Sequence, residues 1–387
     1  MPKVLVLGCG MVGSVMALDL ASDPTLKVTA ADASASAVDA LRQRAAAMKL
    51  PLATLTGDAS SPADVRRLAA DADLVCCALP SRFAFRTVQT LIESGKHVCD
   101  ISFVPEDLLD LTDLAQSKGV TAVVDCGVAP GMSHILAAHA AELLETCHTV
   151  AMYVGGLPVE RRWPFSYKAA FSPADVIEEY TRPARLVEHN QLVTRPALSE
   201  PELLDLPGVG TLEAFNTDGL RSMARTYLGC IPHMKEKTLR YPGHIEQMRV
   251  LREMGLFGTD PVDVKGTSII PRDLVAKLMF PMWTYQPGEA DLTVMRVEAT
   301  GSRKSAELTV RFDVLDKLDP ATGFTSMART TAFPCAIMAR EVLAGRFSPR
   351  GVIVPEFIGQ DAPLVARLLD QQARRGILYH RTEHPAR

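Results

Sequence analysis

Apolar segments and helix-compatible segments alternate through the first 125 residues of the chain. Several apolar runs have no polar interruption, which is typical of strands that are buried on both faces. Strands that alternate with helices at short spacing predict parallel βαβ units. Strands are predicted at residues 3–7, 27–32, 52–55, 73–80, 97–101 and 120–125, and helices at 14–20, 36–48, 61–70, 83–94 and 108–118.

The pattern changes after residue 126. A turn-rich segment at 126–132 and a helix at 133–144 are followed by strand-like runs with longer connections between them. These runs predict a second α/β domain with a mixed or antiparallel sheet, and a proline-rich surface loop at 197–207. Strand-like runs lie at 151–154, 186–193, 237–241, 262–264, 292–299 and 306–313, and helices at 173–180, 243–254 and 326–344.

The chain is long enough for two domains. The sequence predicts an N-terminal parallel-sheet domain at 1–127 and a second domain at 128–326. The last helical stretch is strongly patterned, so residues 327–387 are predicted to pack back on the first domain.

The connection after the first strand is rich in glycine. Gly8 permits a tight turn, Gly10 lets a pyrophosphate approach the backbone, and Gly13 lets the following helix pack closely on the sheet. Met11 and Val12 lie where the helix begins, and its free N–H groups would face the phosphates. A strand, a GxGxxG turn and a helix in this order predict a dinucleotide-binding Rossmann domain.

An acidic residue ends the second strand. Asp32 lies about 20 residues after the glycine turn, where a carboxylate accepts hydrogen bonds from the adenosine ribose. It would repel a 2′-phosphate, and no arginine follows closely, so the sequence favours NAD over NADP. Ser34 and Ser36 could still help to hold a phosphate.

Other strand ends of the predicted parallel sheet carry further candidates, because ligands bind at the carboxyl edge of such sheets. Asp58 would lie beside the adenine, and Leu79 and Pro80 would line the cofactor site. Ser102, Phe103 and Asp125 follow the next two strands and would lie near the nicotinamide.

Composition excludes several classes of protein. The net charge of −4 and the pI near 6.2 give no reason to expect a nucleic acid or an anionic membrane as partner. The sequence has neither a signal-peptide pattern nor an apolar segment of about 18 residues, so no membrane span is expected. Eight cysteines without a CxxC pair predict no metal site and a reduced, cytoplasmic enzyme.

Several motifs resemble the saccharopine dehydrogenase-like family, in the right order and over nearly the whole chain. They are DCGVAPGM at 125–132, YVGGLP at 153–158, LEAFNTDG at 212–219, KTLRYPGH at 237–244, PRD at 271–273 and RGVIVPE at 350–356. The GH at 243–244, which follows the RY at 240–241, and the chain length resemble most the bacterial lysine 6-dehydrogenase branch.

The resemblance implies a Rossmann domain and a second α/β domain that binds substrate and forms a homodimer. It also implies NAD-dependent oxidation of the ε-amine of L-lysine, with release of ammonia and cyclisation of the semialdehyde to piperideine-6-carboxylate. The segment at 102–104 is bulkier and more apolar than is usual in the family, which leaves the exact amine open.

Oxidation of an amine requires the neutral amine, a base and a cationic group for the substrate carboxylate. Asp125 could orient the substrate amine or accept its proton; the alternatives are a cap of the helix near residue 133 and an interdomain hydrogen bond. His244 is an acid–base candidate or a helix cap. Arg240 is the predicted carboxylate clamp, with a surface ion pair as the alternative. Lys168 could bind a carboxylate or take part in the imine chemistry, with a solvated lysine as the alternative. Glu213 begins a polar loop, 213–218, that resembles a motif on the substrate side of the family's site.

Other functions stay open at this point. A saccharopine dehydrogenase or a carboxynorspermidine-type reductase would act on a secondary amine. A non-catalytic protein that senses NAD and NADH would keep the nucleotide site without the chemistry.

Overall fold

The computed structural model describes residues 1–286 and 288–386. The chain divides into two compact units. Unit 1 consists of Met1–His139 and Ala328–Leu378, and unit 2 consists of Ala140–Met327 and the chain from Tyr379 onward.

Unit 1 contains a seven-stranded, fully parallel sheet in the order β17-β6-β5-β4-β1-β2-β3. The strand order reverses beside β1, which pairs with both β2 and β4, and ligands bind at such reversal points. The predicted Rossmann sheet is therefore confirmed. The strands are β1 Lys3–Leu7, β2 Lys27–Asp32, β3 Leu52–Thr56, β4 Leu74–Cys77, β5 His97–Asp100, β6 Thr121–Val123 and β17 Gly351–Ile353.

Helices connect these strands. Ser34 and Ser61 cap two of them, where each hydroxyl accepts a hydrogen bond from a first-turn N–H group. The helices are α1 Met11–Ala21, α2 Ala35–Ala47, α3 Pro62–Ala69, α4 Ser81–Glu93, α5 Thr112–Ser117 after a 3-10 turn at Leu108–Leu111, α6 Met132–Glu142, α11 Ser326–Leu343, α12 Pro355–Gly359 and α13 Ala362–Arg374.

The seventh strand comes from the C-terminal part of the chain. Gly351–Ile353 pairs in parallel with Thr121–Val123, and the Thr121 hydroxyl donates to the Pro349 carbonyl at 2.6 Å. The edge of β6 is thereby covered by a segment more than 200 residues away in sequence.

Unit 2 contains a nine-stranded mixed sheet in the order β10-β11-β12-β7-β15-β16-β18, with β8 pairing with β12 and β9. The pair β7–β12 is parallel and the others are antiparallel, so the predicted mixed sheet is confirmed. Its strands are β7 Thr146–Pro158, β8 Ala184–Glu188, β9 Gln191–Arg195, β10 Glu202–Leu206, β11 Gly210–Asn216, β12 His233–Arg240, β15 Asp291–Arg303, β16 Ala306–Lys317 and β18 His380–Pro385.

Helices and a short hairpin complete unit 2. They are α7 Pro173–Thr181, α8 Met223–Thr226, α9 His244–Glu253, the hairpin β13 Val262–Val264 with β14 Thr267–Ile269, and α10 Pro271–Trp283. Side chains of α7, α9 and α10 pack with strand β11 in one apolar cluster that includes Tyr180, Phe215, Met248 and Trp283. Tyr180 of this cluster contacts Arg240 and His244, two polar residues of unit 2 that are described below.

Three sequence predictions in unit 2 need correction. The run at 186–193 is the hairpin β8–β9, because His189 and Asn190 take positive φ angles of 51° and 61° and turn the chain. The predicted loop at 197–207 contains β10, and the predicted polar loop at 213–218 begins as β11. Both segments gain backbone hydrogen bonds by pairing with each other, which composition does not reveal.

The division into units differs from the predicted domain boundaries at two places. Residues 128–139 lie in unit 1, and the chain from Tyr379 onward lies in unit 2. The second difference has a plain cause, since β18 pairs with β16 over six residues. No helix in the described parts of the chain has the length and hydropathy needed to cross a bilayer.

Candidate functional site

The three glycines of the first turn have distinct surroundings. A Cβ on Gly8 would overlap the Ala78 carbonyl oxygen, and Gly8 has a φ of +100°. A Cβ on Gly13 would overlap the Gly8 carbonyl, so α1 is packed directly against the turn. Gly10 differs, because a Cβ there would have no atom within 4 Å. A side chain is thus excluded by neighbouring backbone at Gly8 and Gly13, whereas the space next to Gly10 is empty.

Asp32 is held against this turn by backbone hydrogen bonds. Its Oδ2 accepts from the Cys9 N–H and its Oδ1 from the Ser34 N–H, both at 2.7 Å. Each carboxylate oxygen keeps a further lone pair for a ribose hydroxyl. We call Gly8, Gly10, Gly13 and Asp32 the glycine cradle. Its open space over Gly10, its free helix N-terminus and its carboxylate fit a dinucleotide.

The first helical residues lie at the same turn. Met11 is exposed and Val12 half-buried at the start of α1, where the first N–H groups have no partner within the helix. Asp58 is exposed after β3, and its Oδ1 accepts from the Ser60 N–H at 2.8 Å. Hydrogen bonds from Ser60 lower the pKa of Asp58, so this side chain is a carboxylate at neutral pH.

Ser102 occupies a fixed position after β5. Its hydroxyl donates to Asp100 Oδ1 at 2.7 Å and accepts from the Leu79 N–H at 3.3 Å. The Ser102 N–H donates to Asp100 Oδ2 at 3.1 Å. Because Ser102 bonds to both Leu79 and Asp100, it joins the ends of β4 and β5. Sequence reasoning missed Asp100, which is fully buried at the end of an apolar strand.

Leu79 and Pro80 form the connection between β4 and α4. Leu79 is half-buried, and the exposed Pro80 directly precedes α4. Phe103 is half-buried beyond Ser102. The predicted cofactor residues and these strand-end residues therefore all lie at the carboxyl edge of the same parallel sheet.

Asp125 lies in a strained stretch after β6. It is only 4% exposed and has a φ of 50°, which is rare for a residue with a side chain. The next residue, Cys126, donates its N–H to the Asp100 carbonyl at 2.9 Å, which ties this strand end to that of β5. Strained residues of this kind concentrate at functional sites.

Arg240 of unit 2 is buried and ion paired. Its Nη2 donates to Glu179 Oε2 at 2.6 Å and its Nη1 to the Leu239 carbonyl at 3.0 Å. Longer contacts reach the hydroxyls of Tyr180 at 3.4 Å and Tyr167 at 3.5 Å. The predicted free carboxylate clamp is thus an arginine with an internal partner, and a substrate carboxylate would have to displace Glu179.

His244 continues this network. Its Nδ1 lies 2.9 Å from the Phe165 carbonyl and its Nε2 lies 3.0 Å from the Tyr180 hydroxyl. A carbonyl only accepts, so Nδ1 carries the proton and Tyr180 donates to Nε2. Burial, and then the charge of Arg240, lower the pKa of His244 to about 3. We call Arg240, Glu179, Tyr180 and His244 the Arg240 cluster. Within it, His244 is a neutral imidazole with a hydrogen bond at each ring nitrogen.

Lys168 and Glu213 also have partners within unit 2. Lys168 is 9% exposed, forms an ion pair with Glu289 and donates to the Thr284 carbonyl at 3.0 Å, so it is not a solvated lysine. Glu213 pairs in register with Arg240 and accepts from the Gly243 N–H at 3.2 Å, just before α9.

Three buried polar groups were missed by sequence reasoning. Within the described residues, Glu236 Oε2, Trp283 Nε1 and Tyr285 Oη are enclosed and have no hydrogen-bond partner. The Tyr285 ring centroid lies 5.9 Å from Lys168 Nζ. The alternation of side chains along β12 could have identified Glu236 from the sequence, because residues 236, 238 and 240 lie on the same face of a strand.

No group of three or more His, Cys, Asp or Glu side chains in the described ranges is arranged to hold a metal ion.

Comparison with known proteins identifies both parts of the chain. Residues 4–123 match the saccharopine dehydrogenase NADP binding domain, and residues 127–377 match the saccharopine dehydrogenase C-terminal domain. The fold is similar to that of apo saccharopine dehydrogenase (L-Glu forming) from Saccharomyces cerevisiae, with a TM-score of 0.81 and 19% identity over 99% of this chain and 100% of that one.

Two curated relatives extend this result. Saccharopine dehydrogenase [NADP(+), L-glutamate-forming] of Schizosaccharomyces pombe is 21% identical, over 97% of this chain and 98% of the relative. Mitochondrial alpha-aminoadipic semialdehyde synthase of Bos taurus is 24% identical, over 97% of this chain and 47% of the relative. These matches support an oxidoreductase that acts on a CH–NH group with a pyridine nucleotide. The chain belongs to the saccharopine dehydrogenase family.

Proposed function

We propose that the protein oxidises the ε-amine of L-lysine with NAD. The observation that carries this proposal is one sheet edge that holds the glycine cradle, the braced Ser102 and the buried, strained Asp125. The KTLRYPGH motif at 237–244 supports the lysine 6-dehydrogenase branch within the family.

The glycine cradle would hold the dinucleotide. Its pyrophosphate would lie over Gly10, facing the N–H groups at Met11 and Val12, and its adenosine ribose would donate to Asp32. A 2′-phosphate would meet the Asp32 carboxylate, and residues 33–41 contain no arginine or lysine to offset this repulsion. These features support NAD, although the Schizosaccharomyces pombe relative above carries NADP(+) in its name.

The cofactor supplies a hydride acceptor when it is bound. A lysine ε-amine has a pKa of about 10.4 in water, so it must lose a proton before oxidation. Asp125 is the proposed base that takes this proton, and Ser102 and Phe103 would bound the reacting carbon. The carbon that bears the neutral amine then loses its hydride, water adds to the resulting imine, and ammonia leaves. The α-amine then attacks the aldehyde carbon, and the ring closes with loss of a water molecule.

The polar residues of unit 2 would bind the amino-acid part of the substrate. Because Arg240 and His244 already bond to Glu179, Tyr180 and Phe165, we assign them to positioning. Lys168 Nζ lies 5.9 Å from the ring centroid of Tyr285, whose hydroxyl has no partner among the described residues. Together they are a candidate contact for the substrate carboxylate, which would have to displace Glu289 from Lys168. Glu213 would position the turn before α9, because it accepts a hydrogen bond from the Gly243 N–H.

We further propose a homodimer, as the family resemblance implies. A reduced, cytoplasmic setting is supported by eight free cysteines, most of them buried.

The test is NADH formation by the purified protein, scanned over L-lysine, saccharopine, ornithine and diamines between about pH 7 and pH 10. We expect turnover of L-lysine with NAD, rising with pH as the amine deprotonates. Asp125→Asn should lower kcat by about 100-fold to 10,000-fold with NAD binding retained. Asp113→Asn, at an exposed position on α5, is the matched control.

Two outcomes would replace this proposal. Turnover of saccharopine without lysine would favour the activity named for the relatives. Silence on every amine, with NAD still bound, would favour a nucleotide-sensing protein.

A further inference from the structure

Arg82 is an exposed arginine without an ionic partner in unit 1. It is the second residue of α4, and within the described residues its guanidinium has neither an ion pair nor a hydrogen bond. The far end of the same helix differs, because Glu93 there forms an ion pair with Arg66 of α3 at 3.1 Å. The Arg82 guanidinium is therefore available to a ligand that arrives from solvent.

The ring of Phe83 lies against this guanidinium. Arg82 Cζ is 4.5 Å from the centroid of the half-buried Phe83 ring, which is within cation–π distance. A guanidinium is planar and stacks on aromatic rings. A stack with Phe83 on one face leaves the other face for a second ring, and it lowers the entropy that Arg82 would lose on binding a ligand.

The start of α4 adjoins the glycine cradle. The ideal Cβ position of Gly13 lies 3.2 Å from Ala78 Cβ, and that of Gly8 would overlap the Ala78 carbonyl oxygen. Ala78 also donates its N–H to the carbonyl of Leu7 at 2.9 Å. Arg82 follows Ala78 by only four residues, so the first turn of α4 begins beside the glycine turn.

The second turn of α4 adjoins the loop after β3. The Thr87 hydroxyl donates to the Ala59 carbonyl at 2.9 Å, and the Gly57 N–H donates to the Asp32 carbonyl at 3.0 Å. The end of β2, the loop at 57–60 and the start of α4 therefore surround the part of the sheet edge where the adenosine is proposed to bind. All three segments belong to unit 1.

We propose that the Arg82 guanidinium stacks on the adenine ring of the bound dinucleotide, an inference that rests on the nucleotide site of the proposed function. Arginine stacks on nucleobases because every base presents a π face. The exposed Asp58 carboxylate could accept a hydrogen bond from the adenine amino group, so the ring would be held at its edge and on its face. The pyrophosphate is assigned to the N–H groups of α1, which leaves Arg82 for the base.

The experiment measures the affinity of the full chain for NAD and for ADP-ribose by calorimetry. Arg82→Ala should weaken both by the same factor, about 5-fold to 30-fold, which is the range of a cation–π contact. ADP-ribose keeps the adenine and lacks the nicotinamide, so it must share the loss. The matched control is Arg86→Ala, an exposed arginine one turn further from the sheet edge, which should leave both affinities unchanged.

Two further variants separate stacking from charge. Arg82→Tyr keeps a flat ring without the charge and should recover part of the affinity, whereas Arg82→Lys keeps the charge without the flat group and should not. Recovery by Arg82→Lys alone would overturn the proposal. So would an unchanged NAD affinity in Arg82→Ala, a loss confined to NAD, or an equal loss in Arg86→Ala. The Tyr and Lys variants decide the question if Arg82→Ala does not fold.

Failure of the proposed function is separable, because these measurements need no amine substrate. A protein that binds NAD and oxidises no amine would lose the proposed reaction, and the Arg82 variants would still be compared. A protein that binds NADP instead would lose the proposed cofactor, and the same comparison is made with NADP, which carries the same adenine. A wild-type protein that binds neither dinucleotide would reject both proposals.

Discussion

The glycine cradle of unit 1 is held by backbone hydrogen bonds, whereas the Arg240 cluster of unit 2 is held by pairs of side chains. Asp32 accepts from two backbone N–H groups, and Gly8 and Gly13 pack backbone against backbone. Arg240 instead depends on Glu179, which is 61 residues away in sequence. The fold of the glycine cradle should therefore be most sensitive to added volume at Gly8 or Gly13, and that of the Arg240 cluster to the loss of one partner of a pair.

The largest expected effect concerns the Arg240 cluster. Arg240→Met should cost about 3 kcal/mol of unfolding free energy, because it leaves Glu179 buried without its cation. Urea denaturation would measure this loss. The double variant Glu179→Gln/Arg240→Met should recover much of it, and a double variant as unstable as the single one would show that the pair is not the cause.

The glycine cradle is tested by two matched substitutions. Gly13→Ala should destabilise the fold by about 2 kcal/mol, because its Cβ meets the Gly8 backbone. Gly10→Ala should leave the melting temperature unchanged and weaken NAD binding, since its Cβ would occupy the open space over the turn. Equal melting temperatures for the two variants would contradict the difference in packing between Gly13 and Gly10.

The pH dependence of stability gives a third test. The pKa of Glu236 is about 8 in the folded protein and about 4.3 in an unfolded chain, so the folded state holds the extra proton between these values. Stability should therefore fall as pH rises through this window, by up to about 1.4 kcal/mol per pH unit. Glu236→Gln should flatten the curve of unfolding free energy against pH relative to Glu246→Gln, a change at an exposed acid of α9. Parallel curves would count against the burial of an unpaired acid.

The smallest expected effect is on cofactor choice. Asp32→Asn removes the negative charge but keeps an oxygen that can accept from Cys9 or Ser34. The ratio of NAD to NADP affinity should fall about tenfold, or about 1.4 kcal/mol, and fluorescence titration with both nucleotides would measure it. An unchanged ratio would mean that another group sets the preference.

Sequence reasoning predicted the backbone-built site because the positions of its residues follow from local spacing. Gly8, Gly10, Gly13 and Asp32 are fixed by one strand, one helix and the next strand. Asp100 was missed because an acid inside an apolar strand resembles any strand end, and its bonds to Ser102 depend on side-chain geometry.

The residues of the side-chain-built site could be proposed but not connected. Arg240, His244 and Lys168 were found as candidates, but Glu179 and Tyr180 come from α7, far away in sequence. The sequence around Arg240 does not reveal its partner Glu179, and the sequence around Glu236 does not reveal that its Oε2 lacks a hydrogen bond among the described residues. The hairpin at His189 and Asn190 was missed for a similar reason, because no glycine marks its turn.

The strand Gly351–Ile353 has a consequence for biosynthesis. Ribosomes make the chain from its N-terminus, so β6 emerges more than 200 residues before the segment that covers its edge. The nucleotide-binding sheet therefore cannot be completed until residues 351–353 have been synthesised. A gene fragment that ends at Met327 would yield a sheet in which β6 has an open edge, ready to pair with another nascent chain.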